Sequence, residues 1–341
     1  MKEKVKFLGI DIGGAHIKTV GLDEKKKIIF VSQEQCLLWR DTKLLENYFK
    51  KINNLFTKVK CGITMTGELC DYFKSRKHGV KSILKVSQKL KFNTFFFTNK
   101  SSFFLKKSSH TSIASMNWLA TGKFLETKIK DALIIDFGST TTDLIIIKNN
   151  RVQNKFYTDF DRMNNNELIY SGLTRTPTSF LTNSIDIKNK KYYLSAEFFS
   201  NTADLYRIKK ILPPNSDIFE SADGRSKSTN NSLNRLARNF CLDYERKNLK
   251  FLNIVTQKLI NIQIENVFKK SKQLMKTHKI KSKIPIVVCG IGKDIFHERA
   301  HKKKCKVIDF SSFLSGKKGM KLKASFHAPA TSCAILISEI K

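Results

Sequence analysis

Gly9-Ile-Asp-Ile-Gly-Gly-Ala-His-Ile-Lys18 and Ile135-Asp-Phe-Gly-Ser-Thr-Thr-Thr-Asp143 are two versions of one device. Each is an apolar strand reaching an Asp, a turn of Gly and small residues, and a second apolar strand, over 17–22 or 144–148. Glycine lets the backbone turn tightly, so that bare N–H groups can point at phosphate oxygens. The Asp beside them is a ligand, direct or through water, for the Mg²⁺ that accompanies such phosphates. Recurrence of the device about 125 residues later predicts a duplicated domain gripping one polyphosphate from both sides.

The chain of 341 residues is long enough for two α/β domains with proper cores. Met1 leads almost directly into the first strand and no apolar run approaches 18 residues, so neither a signal peptide nor a membrane span is expected. Seven scattered cysteines without a C-x-x-C pair read as buried thiols of a reducing cytoplasm. The net charge of +34 invites a nucleic-acid reading, but the lysines spread along the whole chain as a solvated surface does. No nucleic-acid partner is expected, although such a surface would steer acidic small molecules. Of the 63 basic residues 52 are Lys and 11 Arg, and eight of those Arg fall between 151 and 246. Where Lys is the default cation, a retained Arg points to a need for its rigid bidentate fork, as in Asp161-Arg162, Thr174-Arg175-Thr176-Pro177, Asp223-Gly224-Arg225 and Arg235-Leu-Ala-Arg238.

Helical spacing places a helix over 41–58, with Asp41 as its N-cap. Cys61–Met65 reads as a buried strand ending in a polar turn of Thr64, Thr66, Gly67 and Glu68, where open α/β sheets put ligands. A helix over 71–90, a strand over 92–98 and a helix over 111–125 follow, with Trp118 as a core aromatic. Beyond residue 130 come strands at 132–136, 144–148 and 152–157, then an irregular insertion over 161–226 lying across the cleft. Helices over 229–245 and 249–278 lead to a buried strand at 285–289 that ends in Gly290-Ile291-Gly292, where backbone can approach a ligand. Small residues in a last helix from about Ala328 permit close packing. His297-Glu-Arg-Ala-His301 matches the zinc-helix pattern, yet no third ligand follows and chance suffices for so short a motif.

Strand–DxGG–strand, strand–DxGxxxxD and strand–GxG, in this order, resemble the ATPase core shared by actin, sugar kinases and heat-shock chaperones. The resemblance implies a two-lobed α/β, ribonuclease H-like fold of duplicated mixed sheets. The lobes would span 1–129 and 130–341, with the last helix returning to the first lobe. A closer resemblance covers nearly the whole chain. It is carried by GIDIGGAHIK, LLWR (37–40), ITMTGEL with Asp71, NWLATG (117–122), IIDFGSTTTD, ELIYSGLTRTP (167–177), AEFFSNTADLY (196–206), ADGR (222–225) and RLAR. These resemble the hydantoinase/oxoprolinase-like proteins of tetrahydromethanopterin-linked one-carbon metabolism, whose archaeal relatives look like the synthase of the methanofuran ether. His16 departs from the pattern, where Asn is expected.

The resemblance implies a cytoplasmic transferase that joins a furanylmethyl diphosphate to the phenol of γ-glutamyltyramine and releases diphosphate. ATP is compatible but not required. Mg²⁺ would sit at Asp11, Asp136 and Asp143, and Gly13, Gly14, Ser139, Thr140 and Thr141 would cradle the diphosphate, with Lys18, Gly290 and Gly292 as further contacts. Arg175 and Arg225 would clamp diphosphate or the glutamyl carboxylates. Glu68, Asp223 or a metal-facing Asp, Asp11 or Asp143 included, would take the phenol proton. An ATP-dependent hydantoin or oxoproline hydrolase and a non-catalytic nucleotide-binding protein are the alternatives.

Overall fold

The computed structural model describes residues 4–100, 104–105, 110–280, 284–302 and 305–340. Strands β1 (Phe7–Ile12), β2 (His16–Leu22) and β3 (Ile28–Gln35) form an antiparallel meander, and α1 (Lys43–Leu55) carries the chain to β4 (Lys60–Met65), parallel with β1. Helix α2 (Arg76–Ser87) leads to β5 (Asn93–Phe97), parallel with β4, and β6 (Phe104–Leu105) ends the sheet. Helices α3 (His110–Ile113) and α4 (Asn117–Glu126) connect to a second meander of β7 (Ala132–Phe137), β8 (Thr142–Lys148) and β9 (Arg151–Val152). After α5 (Asp159–Asn164), β10 (Leu168–Ile169) also pairs with β8. The hairpin β11 (Ser184–Ile187) and β12 (Lys190–Tyr193) precedes α6 (Thr202–Ile208), α7 (Thr229–Arg238) and the 29-residue α8 (Leu249–Thr277). Strand β13 (Ile286–Cys289) pairs parallel with β7, and α9 (Lys293–Lys302) connects it to β14 (Val307–Asp309). Helices α10 (Lys318–Ser325) and α11 (Ala328–Glu339) follow.

The two sheets repeat one plan. A central strand, β1 or β7, has an antiparallel hairpin partner on one side and two successive parallel strands on the other. Both central strands are buried almost end to end, as a strand covered on both faces must be. Helices α4 and α11 supply that cover between the sheets, in one core with Val20 and Leu22 of β2, Ile134 and Ile145 of the second sheet, and Val287. The first sheet's other face packs on α1 and α2, and the second sheet's on α6 to α9. The contact of α11 with β1 is so close that a Cβ on Gly9 would fall on the Ala330 carbonyl. The small residues of α11 serve this approach. Among the described residues no helix is long and apolar enough to cross a membrane.

Several elements differ from the sequence reading for local reasons. The helix expected over 111–125 is two, because Ser115 takes a left-handed φ of 54° between them. The strand expected over 152–157 stops at Val152. The Asn154 side chain takes over the pairing, accepting from the Ile146 N–H and donating to the Leu144 carbonyl. Helix α7 ends at Arg238 rather than 245, since Asn239 turns inward to bond Ser200 and the Glu197 carbonyl. Asp41 stands one residue ahead of the α1 N-cap, Thr42, and its carboxylate accepts from the Lys43 N–H. Among the described residues no cysteine is in a disulfide; Cys36, Cys61, Cys289 and Cys333 are buried, Cys70 and Cys305 half-buried, and Cys241 exposed in the turn after α7.

Candidate active site

The two glycine turns converge on a cavity of about 470 Å³ between the sheets. Asp11, Gly13, Gly14, His16 and Lys18 line it from the first hairpin, and Asp136, Gly138, Ser139, Thr140, Thr141 and Asp143 from the second. In each turn the glycine N–H closes the hairpin, Gly13 to the His16 carbonyl and Gly138 to the Thr141 carbonyl, both at 2.9 Å. Gly13 and Gly14 do not adopt the left-handed φ that would demand glycine. Gly14 is required for space instead, because a Cβ there would come within 2.5 Å of Cys70 Sγ.

Cross-strand register makes the charges of the two hairpins comparable. Asp11 on β1 faces Lys18 on β2, and Asp136 on β7 faces Asp143 on β8. Lys18 Nζ donates to Asp11 Oδ2 at 2.9 Å, an internal neutralisation. The second hairpin instead sets two carboxylates opposite one another, which is repulsive. Burial and the Asp143 charge push Asp136 up to about 7, while burial also raises Asp143. Relief comes from Arg162 of α5, 1% exposed, which donates to Asp143 Oδ1 at 2.7 Å and to the Glu167 carbonyl at 3.1 Å. Its guanidinium lies 4.3 Å from the centre of the Trp118 ring.

For the expected Mg²⁺, among the described residues Asp11 Oδ1 is buried without a hydrogen-bond partner and no Lys or Arg pairs with Asp136. That excess of negative charge fits a divalent cation. Among the described residues no three His, Cys, Asp or Glu side chains form a direct ligand set, so the fit is to a cation held through water and ligand oxygens. His297, Glu298 and His301 lie on α9, away from this cavity.

The insertion presses on the second turn. Leu173, Thr174 and Arg175 donate backbone N–H groups to the Gly138 and Ser139 carbonyls at 2.9–3.1 Å, and a Cβ on Gly172 would sit within 2.6 Å of Ser139 backbone. Arg175 thereby enters the cavity, with its Nη1 reaching Thr140 Oγ1 at 3.4 Å. Trp39 and Tyr170 line the mouth, and His327, at the start of α11, faces the cavity from between the sheets. Burial, then the cations Lys18 and Arg175 and then His327, hold His16 down to about 2; burial and Lys18 hold His327 at about 3. Both imidazoles are neutral, and each has a buried ring nitrogen without a partner among the described residues.

The structure does not bring five of the expected residues to the cavity. Glu68 is fully buried behind the turn, where Ser115 and Arg76 donate to Oε1 and the backbone of Gly79 in α2 packs against its carbonyl. Burial pushes its carboxyl up. Thr66, Leu69, Cys70 and Asp71 face the cavity from this segment instead. Asp223 is engaged by Arg235 at 2.9 Å and by the Arg225 N–H, a turn that leaves the Arg225 side chain exposed. Gly290 and Gly292 serve packing, since a Cβ on either would strike Asp136 or Phe137. Between them only Ile291 reaches the cavity. Sequence reasoning named Arg162 only as one of the retained arginines, and it gave Trp39, Tyr170 and His327 no chemical role. The scarcity of Arg was a usable signal for the first, and nothing local marked His327.

The hydantoinase/oxoprolinase family model matches residues 61–319. The (4-{4-[2-(gamma-L-glutamylamino)ethyl]phenoxymethyl}furan-2-yl)methanamine synthase of Methanocaldococcus jannaschii is 33% identical over 305 residues, 86% of this chain and 88% of that protein. Its namesake in Methanococcus vannielii is 32% identical over 213 residues, 61% of this chain and 91% of that one. Among solved structures, nucleotide-free acetone carboxylase superposes with a TM-score of 0.55 at 9% identity, covering 97% of this chain and 70% of that one. A chain of the PilM–PilN type IV pilus biogenesis complex gives 0.51 at 10% identity, covering 99% of this chain and 100% of that one. The duplicated sheets are those of the actin-like ATPase fold.

Proposed function

The chain belongs to the hydantoinase/oxoprolinase family, and we propose that it is a transferase of methanofuran biosynthesis. It joins an aminomethyl-furanylmethyl diphosphate to the phenol of γ-glutamyltyramine. The carbon–oxygen bond to diphosphate breaks, a carbon–oxygen bond to the phenol forms, and the phenol gives up its proton. Identity of 33% with the methanamine synthase across most of both chains carries the reading.

The cavity supports it chemically. Gly14 and the Ser139, Thr140 and Thr141 turn present N–H and hydroxyl donors from two sides, suited to the oxygens of a leaving diphosphate. Arg175 adds a cation there, and Lys18 a second once ligand oxygens compete with Asp11. Asp11, Asp136 and Asp143 would hold Mg²⁺ through water, and the ion supplies further neutralisation of the departing charge. Because the furan ring stabilises positive charge at the reacting carbon, the protein's task is to position the two substrates and exclude water. With Glu68 and Asp223 outside the cavity, the carboxylates left to accept the phenol proton are those that line it, Asp11, Asp136 and Asp143.

The test is incubation of the protein with Mg²⁺, the furanylmethyl diphosphate and γ-glutamyltyramine. Ether of the expected mass and one diphosphate per ether support the reading. No ether, together with phosphate release from ATP that requires a cyclic amide, would replace the transferase by a hydantoinase- or oxoprolinase-type hydrolase.

A further inference from the structure

Among the described residues the two fully buried arginines have carboxylate partners, Arg162 with Asp143 and Arg235 with Asp204 and Asp223, and the half-buried Arg207 has Asp204 and Asp217. Arg175 differs. Among the described residues no carboxylate pairs with it, and its one side-chain hydrogen bond is the long contact to Thr140. It rests on aromatic surface instead, its guanidinium carbon lying over the rings of both Trp39 and Phe219 at 5.1 Å from each centre. Those rings lie 5.6 Å apart, and Phe219 meets His16 edge-on at 4.7 Å. Trp39 follows β3 of the first sheet, whereas Phe219 and Arg175 belong to the insertion in the second half, so the stack bridges the cavity mouth.

A guanidinium held over aromatic rings rather than by a carboxylate keeps N–H donors free for a ligand. Stacking also removes the rotamer freedom that a long side chain would otherwise lose on binding. A fixed cation without a counter-ion, beside the glycine turns, is arranged for an anionic ligand. We infer that Trp39 and Phe219 are positioning residues that hold Arg175 as a clamp on the diphosphate of the substrate. The inference rests on the diphosphate reading above. It adds that the clamp is assembled from both halves of the molecule and depends on two aromatic side chains that need not touch the ligand.

Titration of the full chain with inorganic diphosphate and Mg²⁺, followed by calorimetry, tests it. W39A and F219A should each weaken binding about tenfold, within the range of a partly desolvated cation–π contact. W39F should restore affinity to within about threefold. In an R175A background, which itself binds weakly, W39A should change affinity less than about twofold, because a positioning residue has nothing left to position. A purely structural role for Trp39 would instead weaken R175A by about the same factor as the parent, and that additivity would overturn the inference. Equal binding by the parent, W39A and F219A would overturn it as well. Failure of the parent itself to bind diphosphate would remove the substrate reading, and the clamp with it.

Discussion

Replacing Arg162 by Met removes the cation from between Asp143 and Glu167 while keeping an unbranched apolar side chain against Trp118. Breaking a buried ion pair on one side costs about 3–5 kcal/mol, because the remaining charge is left uncompensated. A ceiling exists, since the stranded carboxylate can take up a proton instead. Protonating an acid of ordinary pKa 3.9 costs about 4 kcal/mol at pH 7 and about 1.5 kcal/mol at pH 5. R162M should therefore lose about 4 kcal/mol of stability at pH 7 and less than half of that at pH 5. Urea unfolding followed by tryptophan fluorescence and circular dichroism at both pH values measures the difference. R162M with D143N should recover most of the loss, since the amide needs no counter-ion. A loss below about 1 kcal/mol at pH 7, or one that does not shrink toward pH 5, would refute the assignment of Arg162 as the counter-ion of this carboxylate pair.

Three further outcomes follow from the packing and charge of the site. Gly9→Ala should cost about 3 kcal/mol, at the upper end for an overpacked core, because the new methyl collides with the α11 backbone; thermal melts read it directly. Asp136 binds its proton more tightly folded, at about 7, than at its ordinary 3.8. Its stabilising contribution is full below 3.8 and lost as pH rises through 7, so D136N should raise the melting temperature more at pH 8 than at pH 5; an equal gain at both would contradict the shift. His16 has the opposite sign: held near 2 against an ordinary 6.5, it contributes stability above 6.5 that is lost as pH falls. H16N should accordingly lose less stability than the parent between pH 7 and 5, a comparison made by urea midpoints.

The hairpins were legible because alternating apolar runs, a small-residue turn and the same Asp-to-partner spacing of seven residues recur in both. The register added that Lys18 and Asp143 are equivalent positions, a comparison that residue types alone did not suggest. Strand β4 was equally readable, but the direction of each side chain beyond its end was not. The turn buries Glu68 behind the cavity and leaves Asp71 at its edge. Asp223 looked like an acid in a compact polar motif, yet it fastens a loop to Arg235, a distinction that lies in tertiary contacts. Phe219 and His327 reach the site from distant segments, through an irregular loop and a helix start with no local signature. The early end of the strand at Val152 was hidden for a related reason: one asparagine side chain supplies the bonds that backbone was expected to make.

Helix α11 lies against β1, although more than 300 residues separate the contacting positions Gly9 and Ala330. A ribosome adds about 5–20 residues per second, so on the order of 15–60 s pass between synthesis of the strand and of the helix that covers it. For that interval the part of the nascent first sheet that α11 covers lacks its permanent partner, although α4 is already made. Its exposed surface is a natural client for a holding chaperone, and production of this protein should depend more on the duration of translation than on the strength of any single contact in the finished fold.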